Sequence, residues 1–330
     1  MKKSLVALAV LGAFSGVASA QSSVSIYGLM DAWVGSQRDG APGTKSTTVL
    51  NSAGLSTSRL GFKGSEDIGG GLSVIFGLEA GLSVDNGQSN AGGALQFNRQ
   101  SFVGFSGGFG EVVAGKVWTA YDDIEAGAHQ LGGATNFAVE YSVMDTGNNY
   151  TGNPNNGFKY SSPEFGGFSG AVSYSLDESA TTKSNVMAFH VKYNGGPIYA
   201  GFAYQDEGDT ADIKYTRING SYDFGVAKLL LTYGRVKEAA GKANEYSIGV
   251  DVPMGDALTL SAGYAMHKAK SGYSTFATNE KARGLGLGAT YMVSKRTTLY
   301  AAMVTADKKD PSGAKTNELR RYGVGVRHTF

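Results

Sequence analysis

The chain of 330 residues contains 29 basic and 28 acidic side chains, 49 glycines and no cysteine. Without cysteine it cannot form a disulfide scaffold, a thiolate zinc site or a cysteine nucleophile, and its near-neutral charge gives no electrostatic reason to expect nucleic acid as a partner. Aromatic residues at 11% and charged residues at only 17% argue against a disordered chain.

The first twenty residues have the three parts of a cleaved export signal. Lys2 and Lys3 precede an apolar stretch from Leu5 to Phe14, and Ala18 to Ala20 has the small-x-small pattern of a cleavage site. As a helix the apolar stretch spans about 15 Å, roughly half of a bilayer's hydrocarbon core, and it is therefore too short for a membrane anchor. We expect residues 1–20 to be removed on export.

The rest of the chain has the two-residue period of β-strands. Between Leu72 and Leu82 the even positions are apolar and the odd positions are small or polar. This alternation is as long as a tilted strand that crosses a membrane, whereas the alternate face of a soluble sandwich would carry many more lysines and glutamates. Similar alternating segments begin at Phe168, Met187, Tyr246, Leu258 and Leu285.

Connections of two lengths separate these strands. Short turns are predicted at 66–71, 107–110, 163–167, 194–197, 223–225, 253–256 and 294–296. Longer polar loops are predicted at 37–56, 83–96, 119–157, 178–184, 206–211, 238–244, 269–280 and 306–318. Seven turns and eight loops connect sixteen strands, and the first and last strands must pair because a sheet edge cannot stay open in lipid. We therefore predict an all-β fold in which residues 21–330 form one transmembrane antiparallel barrel of sixteen strands.

Five segments of the chain resemble the general diffusion porins of the betaproteobacterial type. They are Ser25–Asp31, Ser58–Asp67, Asn98–Gly104, Tyr160–Phe165 and the C-terminal Gly325–Phe330. The resemblance extends over the whole mature chain. It implies a water-filled channel in the outer membrane, a homotrimer, and a third outer loop that folds into the lumen.

The candidate for that third loop is the segment from Thr119 to Gly157. A stretch of almost forty residues without regular alternation is either functional or disordered. It contains acidic residues but no lysine or arginine, and the three acidic residues nearest its start are Asp122, Asp123 and Glu125. A solvated surface loop is the alternative, and the resemblance favours a loop inside the pore.

Strand alternation also indicates which charged side chains face the pore. Arg59 and Lys63 alternate with apolar residues of the second strand, and Glu79 alternates with those of the third. Lys116 shares its face with Val112 and is expected to point inward, as is Arg99, unless these cations lie at the membrane interface instead. The expected pore-lining set is Arg59, Lys63, Glu79, Arg99, Lys116, Asp122, Asp123 and Glu125.

We interpret the chain as a channel for passive diffusion of small hydrophilic solutes and ions, with a weak preference for anions. The alternatives are a substrate-specific channel, an outer-membrane enzyme and a secreted adhesin. The string Gly104–Gly108 matches a nucleophile elbow but ends a strand at a turn and precedes no helix. The four histidines are dispersed without metal-ligand spacing, so neither catalysis nor a metal or cofactor is predicted.

The C-terminal strand is expected to close the barrel. Tyr322, Val324, Val326, His328 and Phe330 share one mostly apolar face. The resemblance implies that the barrel assembly machinery recognises Phe330. The predicted partners are therefore two further copies of the chain, the assembly machinery, outer-membrane lipids and the diffusing solutes.

Overall fold

The computed structural model describes residues 23–178, 184–208, 212–270 and 281–330. The predicted export signal lies outside the described residues, as do parts of the predicted loops 178–184, 206–211 and 269–280. Cleavage after residue 20 therefore stays a prediction.

Within the described residues the chain forms eighteen antiparallel strands. They are β1 (Ser23–Gly40), β2 (Thr47–Ser52), β3 (Arg59–Gly69), β4 (Leu72–Ser83), β5 (Gln88–Ser89), β6 (Gln100–Gly107), β7 (Gly110–Lys116), β8 (Gly157–Ser161), β9 (Phe168–Ser175), β10 (Val186–Gly195), β11 (Ile198–Glu207), β12 (Ile213–Asp223), β13 (Lys228–Lys237), β14 (Lys242–Met254), β15 (Leu258–Ala269), β16 (Lys281–Met292), β17 (Thr297–Lys309) and β18 (Lys315–Thr329). β2 and β3 pair with successive parts of β1 and together form one interrupted strand of the wall. With these two counted as one, and without the two-residue β5, the wall has sixteen strands.

The wall closes through its first and last strands, as predicted. β1 pairs with β18 from Leu29 opposite Thr329 to Gly40 opposite Glu318. The backbone amide and carbonyl of Phe330 extend this pairing to Gly28, with both N–H···O distances at 3.1 Å. The predicted fold of sixteen antiparallel strands in a closed barrel is confirmed.

All seven predicted turns separate neighbouring strands, but several predicted loops contain more strand than expected, above all the segments 306–318 and 37–56. In the segment 306–318 the ladder continues, with Asp307 opposite Glu318, so that the connection shrinks to residues 310–314. Charged side chains at the end of a hairpin do not interrupt its backbone hydrogen bonds. The segment 37–56 likewise contains the end of β1 and all of β2.

The two faces of the wall differ in composition and in exposure. On what we call the apolar face, large side chains such as Val103, Val172 and Val324 are more than half exposed. The alternate residues form the polar face, where small and polar side chains such as Ser173 and Asn219 are buried. The assignment of strand faces by two-residue alternation is thus correct for most of the chain.

The polar face is covered by the long connection between β7 and β8, residues 117–156, which we call the long loop. It contains two 3₁₀ segments (Asp122–Ala128 and Gln130–Gly132) and two short helices, α1 (Val139–Val143) and α2 (Asp145–Asn148). In the described part of the chain, no helix has the length and hydropathy required to cross a membrane.

The apolar core of the molecule lies between this loop and the polar face. Phe137 packs edge-on against Trp33, with ring centroids 5.0 Å apart. Tyr121 and Ile124 pack against alanines of the wall, including Ala188 and Ala203. These wall positions are small where the loop is bulky, and their size lets the loop approach the strands closely.

Candidate functional site

A cavity of about 660 Å³ separates the long loop from the wall near β3, β6 and β7. Arg59 and Arg99 line it on the wall side, and Trp118, at the start of the long loop, lies beside them. Asp122 and Glu125 line it on the loop side. Four of the eight residues predicted to line a pore are therefore in one cavity, with the bases facing the acids.

The wall side of the cavity has two guanidinium groups and one carboxylate. Arg99 Nε donates to Glu79 Oε1 at 2.7 Å, and Arg59 Nε lies 3.8 Å from Glu79 Oε2. The Tyr27 hydroxyl donates to the same carboxylate at 3.0 Å, and the Arg99 guanidinium lies 5.0 Å from the centre of the Trp118 ring. Because two cations share one anion, this side keeps one net positive charge.

The acids on the loop side have polar partners within the loop. Asp122 Oδ1 accepts a hydrogen bond from the Tyr150 hydroxyl at 2.7 Å. Burial raises the pKa of Asp122 to about 7, and the neighbouring Glu125 carboxylate contributes to the increase. Glu125 accepts a hydrogen bond from the Tyr141 hydroxyl and lies 3.2 Å from His129 Nδ1. At neutral pH Asp122 therefore carries only part of a full negative charge.

Asp123 contacts a base that the sequence interpretation missed. Its Oδ1 lies 2.5 Å from Lys159 Nζ, and its Oδ2 lies 3.6 Å from His190 Nδ1. Lys159 is on the polar face of β8, between the exposed Phe158 and Tyr160. The alternation of these three residues was the available signal.

The predicted inward orientation of Lys116 is wrong. Lys116 pairs with Ser101 in the register and shares the apolar face with Val112, which is 41% exposed. Its ammonium bends back at the end of β7 and donates to Asn153 O at 2.7 Å and to Asn155 Oδ1 at 3.0 Å. Lys116 thus contacts the returning end of the long loop and does not line the cavity.

The physical reason is that both faces of β7 are apolar. Val113 and Val117 are on the polar face but are 4% and 3% exposed. Where the long loop packs against the wall, apolar residues are favoured on the polar face as well. The two-residue alternation then no longer distinguishes the two faces of the strand. Lys63 does lie on the polar face with Arg59, but its ammonium rests 5.4 Å from the centre of the Tyr27 ring and outside the cavity.

On its other side the long loop covers a buried cation, Arg217 of β12. Arg217 is fully buried, and its guanidinium lies 4.3 Å from the centre of the Tyr121 ring and 5.3 Å from that of Tyr150. Both tyrosines belong to the loop. Alternation along β12 is enough to place Arg217 on the polar face with Tyr215 and Asn219. The burial of the Arg217 side chain, however, depends on the long loop, which is far away in sequence.

Glu245 of β14 binds the start of α2. Its Oε1 accepts from the backbone N–H of Asp145 at 2.5 Å, and its Oε2 accepts from the N–H and hydroxyl of Thr146. His267 Nδ1 lies 2.8 Å from Glu245 Oε1. Asp145, Glu245 and His267 could each offer one ligand atom to a metal ion, but the hydrogen bonds to the loop already account for the Glu245 carboxylate.

Other polar side chains of the wall bind the backbone of the long loop. Each of these contacts joins one wall side chain to one loop main-chain group. They are Ser173 Oγ to Ala120 N (2.9 Å), His190 Nδ1 to Ala120 O (2.7 Å), Gln205 Nε2 to Thr151 O (3.0 Å), Glu207 Oε1 to Thr151 N (2.6 Å), Tyr215 OH to Asn149 O (2.7 Å) and Asn219 Nδ2 to Ile124 O (2.5 Å).

The middle of the long loop contacts the irregular segment 53–58, which lies between β2 and β3. The buried Asp31 carboxylate stabilises this segment by accepting hydrogen bonds from the N–H groups of residues 54, 55 and 56 at 2.8–3.1 Å. The loop amides of Thr135 and Asn136 then donate to Leu55 O and Gly54 O, both at 3.1 Å. Asp31 belongs to a segment singled out in the sequence, but its role was not predicted.

Comparisons with known proteins agree with this architecture. A family model described as Gram-negative porin matches residues 7–311. Over the whole of both chains, the sequence is 37% identical to Outer membrane porin protein 32 of Delftia acidovorans and 28% identical to Major outer membrane protein P.IB of Neisseria meningitidis serogroup B. The solved anion-selective porin from Comamonas acidovorans matches with a TM-score of 0.80 at 29% identity, over 94% of this chain and 100% of that one.

Proposed function

The chain belongs to the Gram-negative porin family, and from that premise we propose that solutes crossing its outer-membrane channel pass between the long loop and the wall at Arg59 and Arg99. Porins are channels for passive diffusion rather than enzymes. The observation that carries the proposal is the cavity of about 660 Å³ in which the bases of the wall face the acids of the loop.

We propose that the long loop lies inside the lumen. The support comes from the side chains that bind it, because Asn219, Thr232 and Ser261 all belong to the polar face of the wall and lie at least five residues inside the loop ends of their strands. A loop lying across the outer rim could not reach so far along these strands. Accordingly, a cysteine at Asn148, which lines the cavity, should reduce single-channel conductance after reaction with a bulky thiol reagent. An unchanged conductance in the fully labelled channel would contradict this placement.

We propose a weak preference for anions over cations. Glu79 offsets only one of two guanidinium groups, and the raised pKa of Asp122 reduces the opposing charge. One charge at about 6 Å in water contributes roughly 0.7 kcal/mol, and several such charges, partly offset by the facing carboxylates, leave about 1 kcal/mol, or about fivefold. The structural relative from Comamonas acidovorans is described as anion-selective, which supports the same sign.

The test is single-channel recording of the reconstituted protein in a salt gradient. The reversal potential should indicate a few-fold anion preference at 0.1 M salt and almost none at 1 M, where screening acts over about 3 Å. The conductance should rise in proportion to solute concentration. Saturable and competitive conductance would favour the alternative of a substrate-specific channel.

We also propose that the chain assembles as a homotrimer and that Phe330 is an assembly signal. Phe330 ends the chain beside Gly28, with its side chain 45% exposed on the apolar face. Deletion of Phe330 should lower the amount of detergent-resistant, heat-modifiable oligomer in the membrane, and the chain should accumulate in the periplasm. Substitution of the neighbouring Thr329 by serine provides the control. Normal oligomer levels in the deletion variant would refute the role of Phe330.

A further inference from the structure

Three side chains of types that commonly bind metal ions meet where the long loop packs against the wall. They are Asp145 at the start of α2, Glu245 of β14 and His267 of β15. All three are more than nine-tenths buried, and none of them lines the cavity at Arg59 and Arg99. Two carboxylates buried beside an imidazole are costly unless hydrogen bonds or a bound cation stabilise their charge.

The spacing of the three donor atoms suits a single small cation. Glu245 and His267 lie directly opposite each other in the register of β14 and β15. His267 Nδ1 is 2.8 Å from Glu245 Oε1 and 3.6 Å from Asp145 Oδ2, and each residue can offer one donor atom within 4.8 Å of the others. Ligand atoms about 2.1 Å from one transition-metal ion are about 3.0–3.4 Å apart in octahedral or tetrahedral geometry. Small side-chain shifts would therefore bring all three atoms to one ion.

The hydrogen bonds that Glu245 makes with the loop leave a position for a metal ion. A carboxylate oxygen has two lone-pair positions. Oε1 uses one of them for the backbone N–H of Asp145 at 2.5 Å, and the other faces His267 Nδ1. An ion between Oε1 and Nδ1 would displace any proton on Nδ1 to water, because only an unprotonated nitrogen binds a metal. The loop amides would keep their acceptor.

A cavity of about 170 Å³ beside the three side chains provides room for the waters of an ion. It is lined by Asp145, His267, Lys308 and the amide side chains Asn148 and Asn149. One water occupies about 30 Å³ in the liquid, so several waters fit beside the protein ligands. The Lys308 ammonium opposes a cation here, but the two carboxylates outnumber it.

The donor types determine which cations the site prefers. Mg²⁺ and Ca²⁺ bind oxygen ligands, whereas an imidazole nitrogen suits zinc, copper and nickel ions. Three protein ligands also leave at least one position for water, as in zinc sites with an open position. Zn²⁺ is therefore expected to bind more tightly than Ca²⁺ or Mg²⁺.

We propose that Asp145, Glu245 and His267 bind a divalent transition-metal ion of the Zn²⁺ class and that this ion holds the long loop against the wall. Asp145 is the ligand from the loop, whereas the other two belong to neighbouring strands. The ion joins α2 to β14 and β15 at one point, in addition to the hydrogen bonds of Glu245. This inference goes beyond the proposed passage of solutes at Arg59 and Arg99, which needs no metal.

The experiment titrates the untagged, metal-free channel in detergent with Zn²⁺, Ca²⁺ and Mg²⁺ by calorimetry. Each native chain should bind one Zn²⁺, and Zn²⁺ should raise the heat-modification temperature of the barrel. Asp145→Asn and His267→Asn should each lower the Zn²⁺ affinity by more than about tenfold, since even the outer-shell partners of metal sites contribute that much. Asp145→Asn keeps the backbone N–H that binds Glu245, so this hydrogen bond of the loop survives in the variant.

The matched control is His190→Asn. Like His267, His190 is a buried histidine of the wall, and its Nδ1 contacts the loop at Ala120 O and lies 3.6 Å from the carboxylate of Asp123. The Zn²⁺ affinity should be unchanged in this control, because His190 is not a ligand of the proposed site.

Three results would overturn the proposal. They are the absence of saturable Zn²⁺ binding, an unchanged affinity in both Asp145→Asn and His267→Asn, and equal binding of Ca²⁺ and Zn²⁺, which would indicate an oxygen-only site. Reversal potentials of the metal-free channel separate this proposal from that of the constriction. If the anion preference persists while Zn²⁺ fails to bind, only the metal site is refuted.

Discussion

The long loop meets the wall of the barrel in two different ways. Toward β9–β17 it is packed, with Arg217 and Glu245 buried beneath it and its main chain bound by wall side chains. Toward Arg59 and Arg99 it is separated from the wall by a cavity of about 660 Å³. The packed side fixes where the loop lies, and the open side determines which charges face the cavity. Variants on the two sides should therefore affect different measurements.

The largest effect is expected from Glu245→Ala on the packed side. The change leaves the amides of Asp145 and Thr146 without their acceptor, and a broken network of this kind costs about 3–5 kcal/mol. We expect the loop to detach from β14, with larger current fluctuations in the open channel and a lower heat-modification temperature of the barrel.

The neighbouring Asn244→Ala serves as control, because Asn244 lies on the apolar face beside Glu245. Steady single-channel currents in Glu245→Ala would show that this carboxylate does not anchor the loop.

A smaller effect on the packed side is expected from Arg217→Met. Methionine keeps part of the apolar volume but loses the contacts of the guanidinium with the Tyr121 and Tyr150 rings, which are worth about 2 kcal/mol at a buried site. The thermal transition should fall less than in Glu245→Ala. Retention of the native transition temperature and native current noise would show that the cation does not stabilise the loop.

On the open side, reversal of both wall charges by Arg59→Glu and Arg99→Glu should change ion preference rather than stability. Each reversal shifts the local charge by two, and with screening the pair changes the preference by about 1.5 kcal/mol, or roughly tenfold. Reversal potentials in a salt gradient should then indicate a preference for cations.

Lys116→Glu is the matched control for this pair, because Lys116 is a nearby cation on the apolar face. It should leave the reversal potential unchanged. If Lys116→Glu shifted the preference as strongly as the reversal at Arg59 and Arg99, the assignment of faces in β7 would be wrong.

The same contrast explains which features could be predicted from the sequence. The wall follows local rules, and the alternation from Leu72 to Leu82 and the turn glycines were enough to place its strands. Arg59 and Glu79 were assigned to the polar face by alternation, and the register of β3 and β4 agrees with that assignment. Arg99 lies before β6, where Gln100 pairs with Glu79. Alternation would therefore place Arg99 with the exposed Val103, and its contact with Glu79 could not be predicted from it. The prediction for Lys116 failed because Val113 and Val117 form core with the loop on the face that should have been polar.

The packed side depends on contacts between distant parts of the chain, and for that reason it was missed. Nothing near Arg217 in sequence indicates that Tyr121 and Tyr150 cover it. The break at residues 53–58 was not predicted: the loop was expected to end at residue 56 and Ser58 to belong to the second strand, because the structure of the break depends on the Asp31 carboxylate from another strand. Alternation shows that such side chains face the polar side, but not what buries them.

The smallest expected effect comes from a single proton on the open side. The pKa of Asp122, raised to about 7, makes this carboxyl mostly neutral at pH 5 and mostly charged at pH 9. The added negative charge faces Arg59 and Arg99, so the anion preference should fall as the pH rises through 7, by about 0.4 kcal/mol or roughly twofold after screening. Asp122→Asn should abolish this dependence and keep the low-pH preference throughout. Glu125 is a charged neighbour of Asp122 and contacts His129, so His129→Gln is the control and should retain the native pH profile. If Asp122→Asn shows the same pH profile as the native channel, this carboxyl does not set the pH dependence of the ion preference.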